Sequence, residues 1–203
     1  MAETVSFSAL TRRTALLGAA TALLVSSPRV RAAADDSRPP LFRSGRSQFI
    51  VERPRNPLPP LKLQDLSGKD VTLAPKPGHV TLVNLWATWC AACKTDLPTL
   101  AALDRVRMPA LDVWTICTDR RDIKTIRRYA ETVAMPRLSF ADPHAQATNP
   151  ANADASVFAT PAMPITYLIG MSGLIEGDVT GAAEWLSEPG EALLRYYLDQ
   201  PAT

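Results

Sequence analysis

Two cysteines separated by two alanines, Cys90 and Cys93, constrain the fold of this chain more than any other feature of its sequence. They follow a hydrophobic run that begins at Val80 and precede a stretch with helical periodicity, which indicates a strand, a tight turn and a helix. A thiol at the start of a helix faces unpaired backbone N–H groups and the positive end of the helix dipole, and both favour the thiolate. The short spacing also lets the two sulfurs form a small disulfide ring that can reopen. The pair therefore predicts thiol–disulfide chemistry.

Two other uses of such a cysteine pair receive less support from the sequence. A zinc site usually takes a second pair of ligands, and the remaining candidates, Cys117, His79 and His144, form no second Cys-x-x-Cys and no His-x-x-x-His motif. A purely structural disulfide would gain little stability from closing so short a loop. We therefore predict neither a metal nor another cofactor.

Strand and helix signals alternate along the chain on both sides of the cysteines. Residues 61–73 alternate apolar and polar side chains about a Ser-Gly turn, which predicts a β-hairpin. Residues 140–160 are less regular and predict a loop with about one helical turn. The other predicted strands span residues 79–85, 111–117, 165–169 and 174–179, the last two joined as a hairpin, and the predicted helices span residues 92–106, 121–133 and 187–198. This order predicts an α/β fold with a central mixed sheet flanked by helices.

Residues 1–34 have the pattern of an export signal. Arg12 and Arg13 precede an apolar run over residues 15–25, and small residues around Ala32 fit a signal-peptidase site. The paired arginines favour the twin-arginine route, and a Sec signal or an uncleaved anchor stays open. Because the run is too short for a convincing membrane span, we predict a periplasmic protein that contacts the membrane only if this segment is uncleaved.

The rest of the chain divides into a linker and a domain. Residues 35–60 are polar and rich in proline, which predicts a linker with one short strand near residues 48–51. Residues 61–203 are the predicted domain. Residues 1–34 hold four of the 22 basic residues and one of the 20 acidic ones, so the remainder carries 18 basic and 19 acidic residues. This balance does not favour nucleic acid as a partner.

The segment around the cysteines resembles the active-site segment of the TlpA-type proteins, which are exported, thioredoxin-like disulfide reductases. The matching residues are 83–98, with the sequence Val-Asn-Leu-Trp-Ala-Thr-Trp-Cys-Ala-Ala-Cys-Lys-Thr-Asp-Leu-Pro. A weaker similarity extends from Leu61 to Leu198. The resemblance implies a thioredoxin-like fold with an N-terminal β-hairpin extension, and some members of the family serve cytochrome c maturation.

The resemblance also implies roles for individual residues. Cys90 would attack the substrate disulfide and Cys93 would resolve the mixed disulfide. Trp89 would present a flat surface to protein substrates. In the thioredoxin superfamily a cis-proline at the place of Pro164 lies against the cysteine pair, and its preceding residue, here Met163, offers backbone groups to the substrate chain. An ordinary trans-proline at the start of a strand is the alternative interpretation.

Asp96 and Lys94 are predicted to tune the pKa of the cysteines. In the cytochrome-maturation branch an acid at the place of Asp96, usually Glu, is thought to have this role. A poorly solvated carboxyl has a raised pKa and can shuttle protons, whereas a solvated Asp96 would have no such role. Lys94 adds positive charge near the thiols, although a solvated lysine also fits. Asn84 stands where thioredoxin carries a buried Asp, and its amide cannot shuttle that proton.

The sequence leaves three functions open. The first is an exported oxidoreductase that reduces protein disulfides, in cytochrome c maturation or at a copper-site dithiol. It would need an upstream membrane or periplasmic electron donor, because the compartment is oxidising. The second is a Cu(I)-binding or copper-delivery module, since two thiolates are good soft ligands. The third is an oxidase or isomerase of disulfides, which the reduction potential of the pair would distinguish.

Overall fold

A computed structural model describes residues 38–149, 151–152 and 155–201. The predicted export signal, residues 1–34, lies outside the described residues. Among the helices of the described part, none is both long enough and apolar enough to cross a bilayer. The described elements are β1 (Arg43–Ser44), β2 (Ser47–Val51), β3 (Leu61–Asp65), β4 (Asp70–Leu73), β5 (Val80–Trp86), α1 (Cys93–Val106), β6 (Leu111–Cys117), α2 (Ile123–Ala130), β7 (Leu138–Ala141), β8 (Ile165–Ile169), β9 (Ile175–Thr180) and α3 (Glu188–Leu198).

The strands form one mixed sheet in the order β1-β2-β9-β8-β5-β6-β7-β3-β4. β5 pairs with β6, and β6 with β7, in parallel, whereas the other pairs are antiparallel. The predicted α/β architecture with a central mixed sheet is thereby confirmed. The predicted hairpin over residues 61–73 is also present, as β3 and β4.

β5 is buried along its whole length, and its alternating side chains supply a core on each face of the sheet. On one face Leu82 belongs to the cluster that holds Leu100 of α1 and Leu193 of α3. On the other face Leu85 belongs to the cluster that contains Leu63 and other residues from β3 and the loops. Burial on both faces explains why this strand appears in the sequence as a nearly continuous apolar run.

α2 and α3 begin where a side chain can accept one of the first unpaired N–H groups. α2 starts two residues after the predicted residue 121, because Asp122 is its N-cap and accepts from the Thr125 N–H at 3.0 Å, and it ends at Ala130, before the predicted residue 133. α3 starts after Ser187, whose hydroxyl accepts from the Gly190 N–H at 3.4 Å. α1 has no such side chain at Ala92, a difference that matters for the cysteines.

Residues 35–60 are predicted as a linker with one short strand, and within their described part residues 43–44 and 47–51 form β1 and β2 of the sheet. The predicted strand is present as β2, and it pairs with β9. Phe42, which is 1% exposed, lies with its ring centroid 5.0 Å from that of Trp185. Single aromatic residues between prolines leave no periodic signal, so the sequence pattern does not reveal this docking.

Gly177 of β9 marks how closely β2 approaches the sheet. A Cβ atom at this position would overlap the Ile50 carbonyl oxygen and the Phe49 ring, and the backbone oxygen cannot withdraw without disrupting the pairing of β2 with β9. We expect Gly177→Ala to lower the free energy of unfolding by about 1–3 kcal/mol, measured by urea denaturation. A Cβ at Gly170 would meet the Glu176 side chain instead, so Gly170→Ala serves as the control with the smaller expected loss. Equal losses in the two variants would contradict the prediction.

Candidate active site

Cys90 lies between the end of β5 and the start of α1, and Cys93 is the first residue of α1. A disulfide bond joins them, so the structure describes the oxidised form. Cys90 is 6% exposed, whereas Cys93 is fully buried. Both belong to an apolar cluster with Trp86 and Leu97. Solvent and a substrate can therefore reach the Cys90 sulfur more readily than the Cys93 sulfur.

The sulfur of Cys90 takes the place of a capping group at the start of α1. The Cys93 N–H, at the first residue of the helix, donates to Cys90 Sγ at 3.1 Å. No side chain of Ala92 competes for the N–H groups of the first turn. After reduction, this N–H and the helix dipole would favour a thiolate at Cys90 over a thiol.

Trp89 and Met163 lie close to the cysteine pair and line the same groove. Trp89 is 67% exposed, in contrast to the fully buried Trp86, whose ring stacks on Tyr129 with centroids 5.4 Å apart. Met163 packs against the apolar cluster that contains both cysteines, and its peptide bond to Pro164 is cis. The backbone therefore has the geometry at Pro164 that the resemblance implied. Binding of substrate by these residues stays a prediction.

A groove of about 920 Å³ opens beside Trp89 and Met163. One wall comes from the segment after β6, and the other comes from the irregular segment before β8. The lining residues are Trp89, Thr118, Asp119, Arg120, Thr148, Asn149, Ser156, Phe158, Ala159, Thr160, Pro161, Ala162 and Met163. Described residues of the region predicted as a loop over residues 140–160 thus form part of a wall of this groove.

Asp142 stabilises the described part of that loop by accepting hydrogen bonds from its backbone. Its buried carboxylate accepts from the backbone N–H groups of Gln146, Ala147 and Thr148 at 2.8, 2.9 and 3.3 Å. An Asp followed by Pro143 is a sequence signal for a turn, yet it does not indicate what the turn supports. The groove wall was therefore missed at the sequence level.

Asp96 is fully buried one turn into α1, which excludes the solvated alternative. Its Oδ2 accepts from Asn84 Nδ2 at 2.9 Å, and its Oδ1 accepts from the Ala183 N–H at 3.1 Å. Asn84 Nδ2 also donates to Thr166 Oγ1 at 3.0 Å, so α1, β5 and β8 meet at one polar cluster inside the core. Asp96 precedes Leu100 and Leu103 by four and seven residues, and this spacing is the sequence signal that places it on the buried face.

Burial raises the pKa of Asp96 to about 7, because the ionised carboxylate loses its hydration. The two N–H donors, from Ala183 and Asn84, oppose the rise, and the nearby negative charge of Glu184 adds to it. The carboxyl therefore titrates near neutral pH. Lys94, the other residue predicted to tune the cysteines, has an exposed side chain, and its role stays a prediction.

Thr88 and Asp119 form a contact near the cysteines that the sequence did not indicate. The Thr88 hydroxyl donates to Asp119 Oδ2, and Arg121 Nε lies 3.5 Å from the same oxygen. This contact ties the turn before Cys90 to the segment after β6.

Cys117 ends β6 as a fully buried free thiol, and burial raises its pKa to about 12, so it stays protonated and acts as a small apolar residue.

Comparison with known proteins adds independent findings. The model of the AhpC/TSA family matches residues 54–177. The chain is 28% identical over 120 residues to the thioredoxin-like protein YneN of Bacillus subtilis, and 37% identical over 102 residues to a thiol:disulfide interchange protein DsbE homolog of Paracoccus denitrificans. These alignments cover 58% and 49% of this chain, and 66% and 49% of the two relatives. The chain thus spans about two thirds of the length of the first relative and about half of the length of the second.

Solved structures share the fold. The crystal structure of a thiol:disulfide interchange protein of the thioredoxin family from Chlorobium tepidum superposes with a TM-score of 0.54 at 18% identity. It covers 73% of this chain and 99% of the other. The fold expected from the motif, a thioredoxin-like mixed sheet with an additional N-terminal hairpin, is therefore confirmed.

Proposed function

Because the chain belongs to the AhpC/TSA family, we propose that it is a thiol–disulfide oxidoreductase that reduces protein disulfides outside the cytoplasm. The observation that carries this proposal is the position of the cysteine pair. Cys90 is the more accessible sulfur, and it accepts an N–H at the first residue of α1. The thiol:disulfide interchange relatives support the same chemistry.

The proposed reaction starts from the dithiol form. The Cys90 thiolate attacks one sulfur of the substrate disulfide, which breaks that bond and releases the other substrate sulfur as a thiolate. Cys93 loses its proton and attacks Cys90 in the mixed disulfide, which releases the second substrate sulfur. Two electrons and two protons pass to the substrate in total, and the protein is left with the Cys90–Cys93 disulfide.

The substrate chain would lie in the groove next to Cys90. Met163 and the apolar residues of the wall before β8 offer a surface to one side of the substrate cysteine, and Trp89 offers one to the other. Backbone groups at Met163 would pair with the substrate as an added strand. In this arrangement the substrate disulfide approaches Cys90 from the exposed side, away from buried Cys93.

The proposed place of action is the periplasm, an oxidising compartment in which cysteines are kept as disulfides. An upstream electron donor would therefore have to return the pair to the dithiol form. The names of the relatives and the export pattern of residues 1–34 support this location. Cytochrome c maturation, or reduction of a copper-site dithiol, is the proposed duty within that compartment.

The function is tested by single-turnover reduction of insulin. The full-length protein is reduced with dithiothreitol, separated from it and mixed with insulin without further reductant. We expect one insulin disulfide to be reduced per protein, with Cys90 and Cys93 becoming protected from alkylation in mass spectrometry. Tight stoichiometric binding of Cu(I) in an anaerobic titration, together with no reduction of insulin, would favour the copper module instead. A strongly oxidising potential of the pair would reverse the proposed direction.

A further inference from the structure

A run of basic residues starts beside the groove and continues along α2. It consists of Arg120, Arg121, Lys124, Arg127 and Arg128, five cationic side chains within nine residues. All are exposed except Arg127, which is partly exposed. The chain from residue 35 onward is nearly neutral in sum, so this concentration of positive charge is a local feature. We call these five residues the basic face.

Trp89 lies between two concave surfaces, and the basic face contributes arginine to both. The 920 Å³ groove described above includes Arg120. A second groove of about 360 Å³ also includes Trp89, together with Arg121 and Arg128. Both grooves that include the exposed indole therefore contain positive charge.

Two acidic residues, Asp119 and Asp122, lie in the same segment and offset part of this charge, which leaves three net positive charges over residues 119–128. Asp119 accepts from Thr88 and pairs with Arg121, and Asp122 is occupied as the N-cap of α2. Within the described part of the chain, no ion pair involves Arg120 or Arg128. These two arginines are consequently free to attract an external anion.

We propose that the basic face docks an acidic protein surface that surrounds the substrate disulfide. The inference rests on the proposed function, because it identifies the charge of the partner that Cys90 meets. A concave groove that combines Arg120 with the apolar side chains of Phe158 and Met163 fits a projecting peptide segment better than the flat surface of a bilayer. Opposite charge on the partner would steer its approach and accelerate association at low ionic strength.

The test uses two synthetic peptides that share an intramolecular disulfide and differ in four flanking residues, which are Glu in one and Lys in the other. The reduced full-length protein is mixed with each peptide, and its oxidation is followed by stopped-flow tryptophan fluorescence. We expect the Glu peptide to react at least about tenfold faster than the Lys peptide at low salt, with the difference mostly lost at about 0.5 M salt. In Arg120→Glu/Arg128→Glu the preference should disappear or reverse, and Arg120→Gln/Arg128→Gln should show an intermediate ratio.

The control carries the same change of charge at the β1 edge of the sheet, away from α2 in the strand order. Arg43 and Arg46 are exposed at the hairpin of β1 and β2, so Arg43→Glu/Arg46→Glu should keep the wild-type ratio. Equal rates for the two peptides, or an equal effect of the control variant, would overturn the inference. A third result would assign the basic face to an anionic membrane instead. In that case the two peptides react at equal rates, and the protein binds phosphatidylglycerol vesicles unless Arg120 and Arg128 are replaced by Glu.

Failure of the proposed function would give a different result, since neither peptide would then oxidise the cysteine pair. In that case fluorescence anisotropy of labelled peptides with the oxidised protein decides the docking inference separately. Salt-sensitive binding of the Glu peptide that the Arg120/Arg128 reversal weakens would support it. Equal binding of the two peptides would overturn it.

Discussion

Replacement of Cys90 by serine is expected to lower the rate of protein-disulfide reduction by roughly a thousandfold or more, because a hydroxyl at this position cannot form the mixed disulfide. Buried Cys93 would remain as a thiol, yet a substrate disulfide cannot approach it as it approaches Cys90. The measurement is the single-turnover reduction of insulin. Activity near the wild-type level in Cys90→Ser would remove Cys90 as the nucleophile.

Replacement of Cys93 by serine should instead stop the reaction after its first step. Cys90 would attack as before, and the mixed disulfide would accumulate because no second thiol resolves it. Non-reducing electrophoresis and mass spectrometry would show a covalent adduct at Cys90. Cys117→Ala is the matched control, since Cys117 is a buried free thiol outside the reaction and its variant should neither lose activity nor trap substrate. Adducts that form in Cys90→Ser through Cys93 would mean that the two roles are exchanged.

Local features of the sequence predicted the strand, turn and helix around the cysteines well. A seven-residue buried strand produces a continuous apolar run, and α1 has a clear apolar stripe, so β5 and α1 were found with bounds close to those observed. The first bound of α2 shifted because Asp122, as its N-cap, makes the helix begin at Ile123 rather than at the predicted residue 121. Periodicity reports the buried face of an element, and it does not report which polar residue caps its end.

Features that depend on distant pairing could not be predicted in the same way. β7 has four residues, too few for a distinct pattern, and it becomes a strand by pairing with β6 and β3. β2 joins the sheet through β9, which lies more than 120 residues later in the chain. The groove wall before β8 is irregular, and its shape depends on hydrogen bonds to Asp142. For β7 and β2 the stabilising contacts come from residues that no local window contains, whereas the contacts of Asp142 are local but leave no periodic pattern.

The stability of the oxidised protein is expected to fall as the pH rises from about 4 to about 7, because of Asp96. The folded state holds the pKa of this carboxyl at about 7, whereas the unfolded chain returns it to its ordinary value near 3.8. Between these values the folded protein binds more protons than the unfolded one, so stability decreases with pH and levels off above 7. A shift of about three pKa units corresponds to at most about 4 kcal/mol, of which about 2–3 kcal/mol falls between pH 5 and pH 8.

Asp96→Asn should remove this decrease, because the amide does not ionise. The variant also carries a cost that does not depend on pH, since its NH₂ group faces one of the two N–H donors, Asn84 Nδ2 or the Ala183 N–H. The difference in unfolding free energy between pH 5 and pH 8 is therefore the quantity to compare, measured by urea denaturation of the oxidised proteins. In that form the cysteine pair does not titrate.

Asp104→Asn is the matched control, because Asp104 is also a buried carboxylate of α1 but forms an ion pair with Arg137 at 3.0 Å. Its variant should be destabilised at both pH values and keep the wild-type difference between them. If Asp96→Asn keeps that difference as well, the titrating group lies elsewhere. Asp178, whose pKa burial also raises, would be the next to replace. A difference lost in Asp96→Asn alone would show that a carboxyl one turn from Cys93 changes its charge within the pH range in which the cysteines are proposed to react.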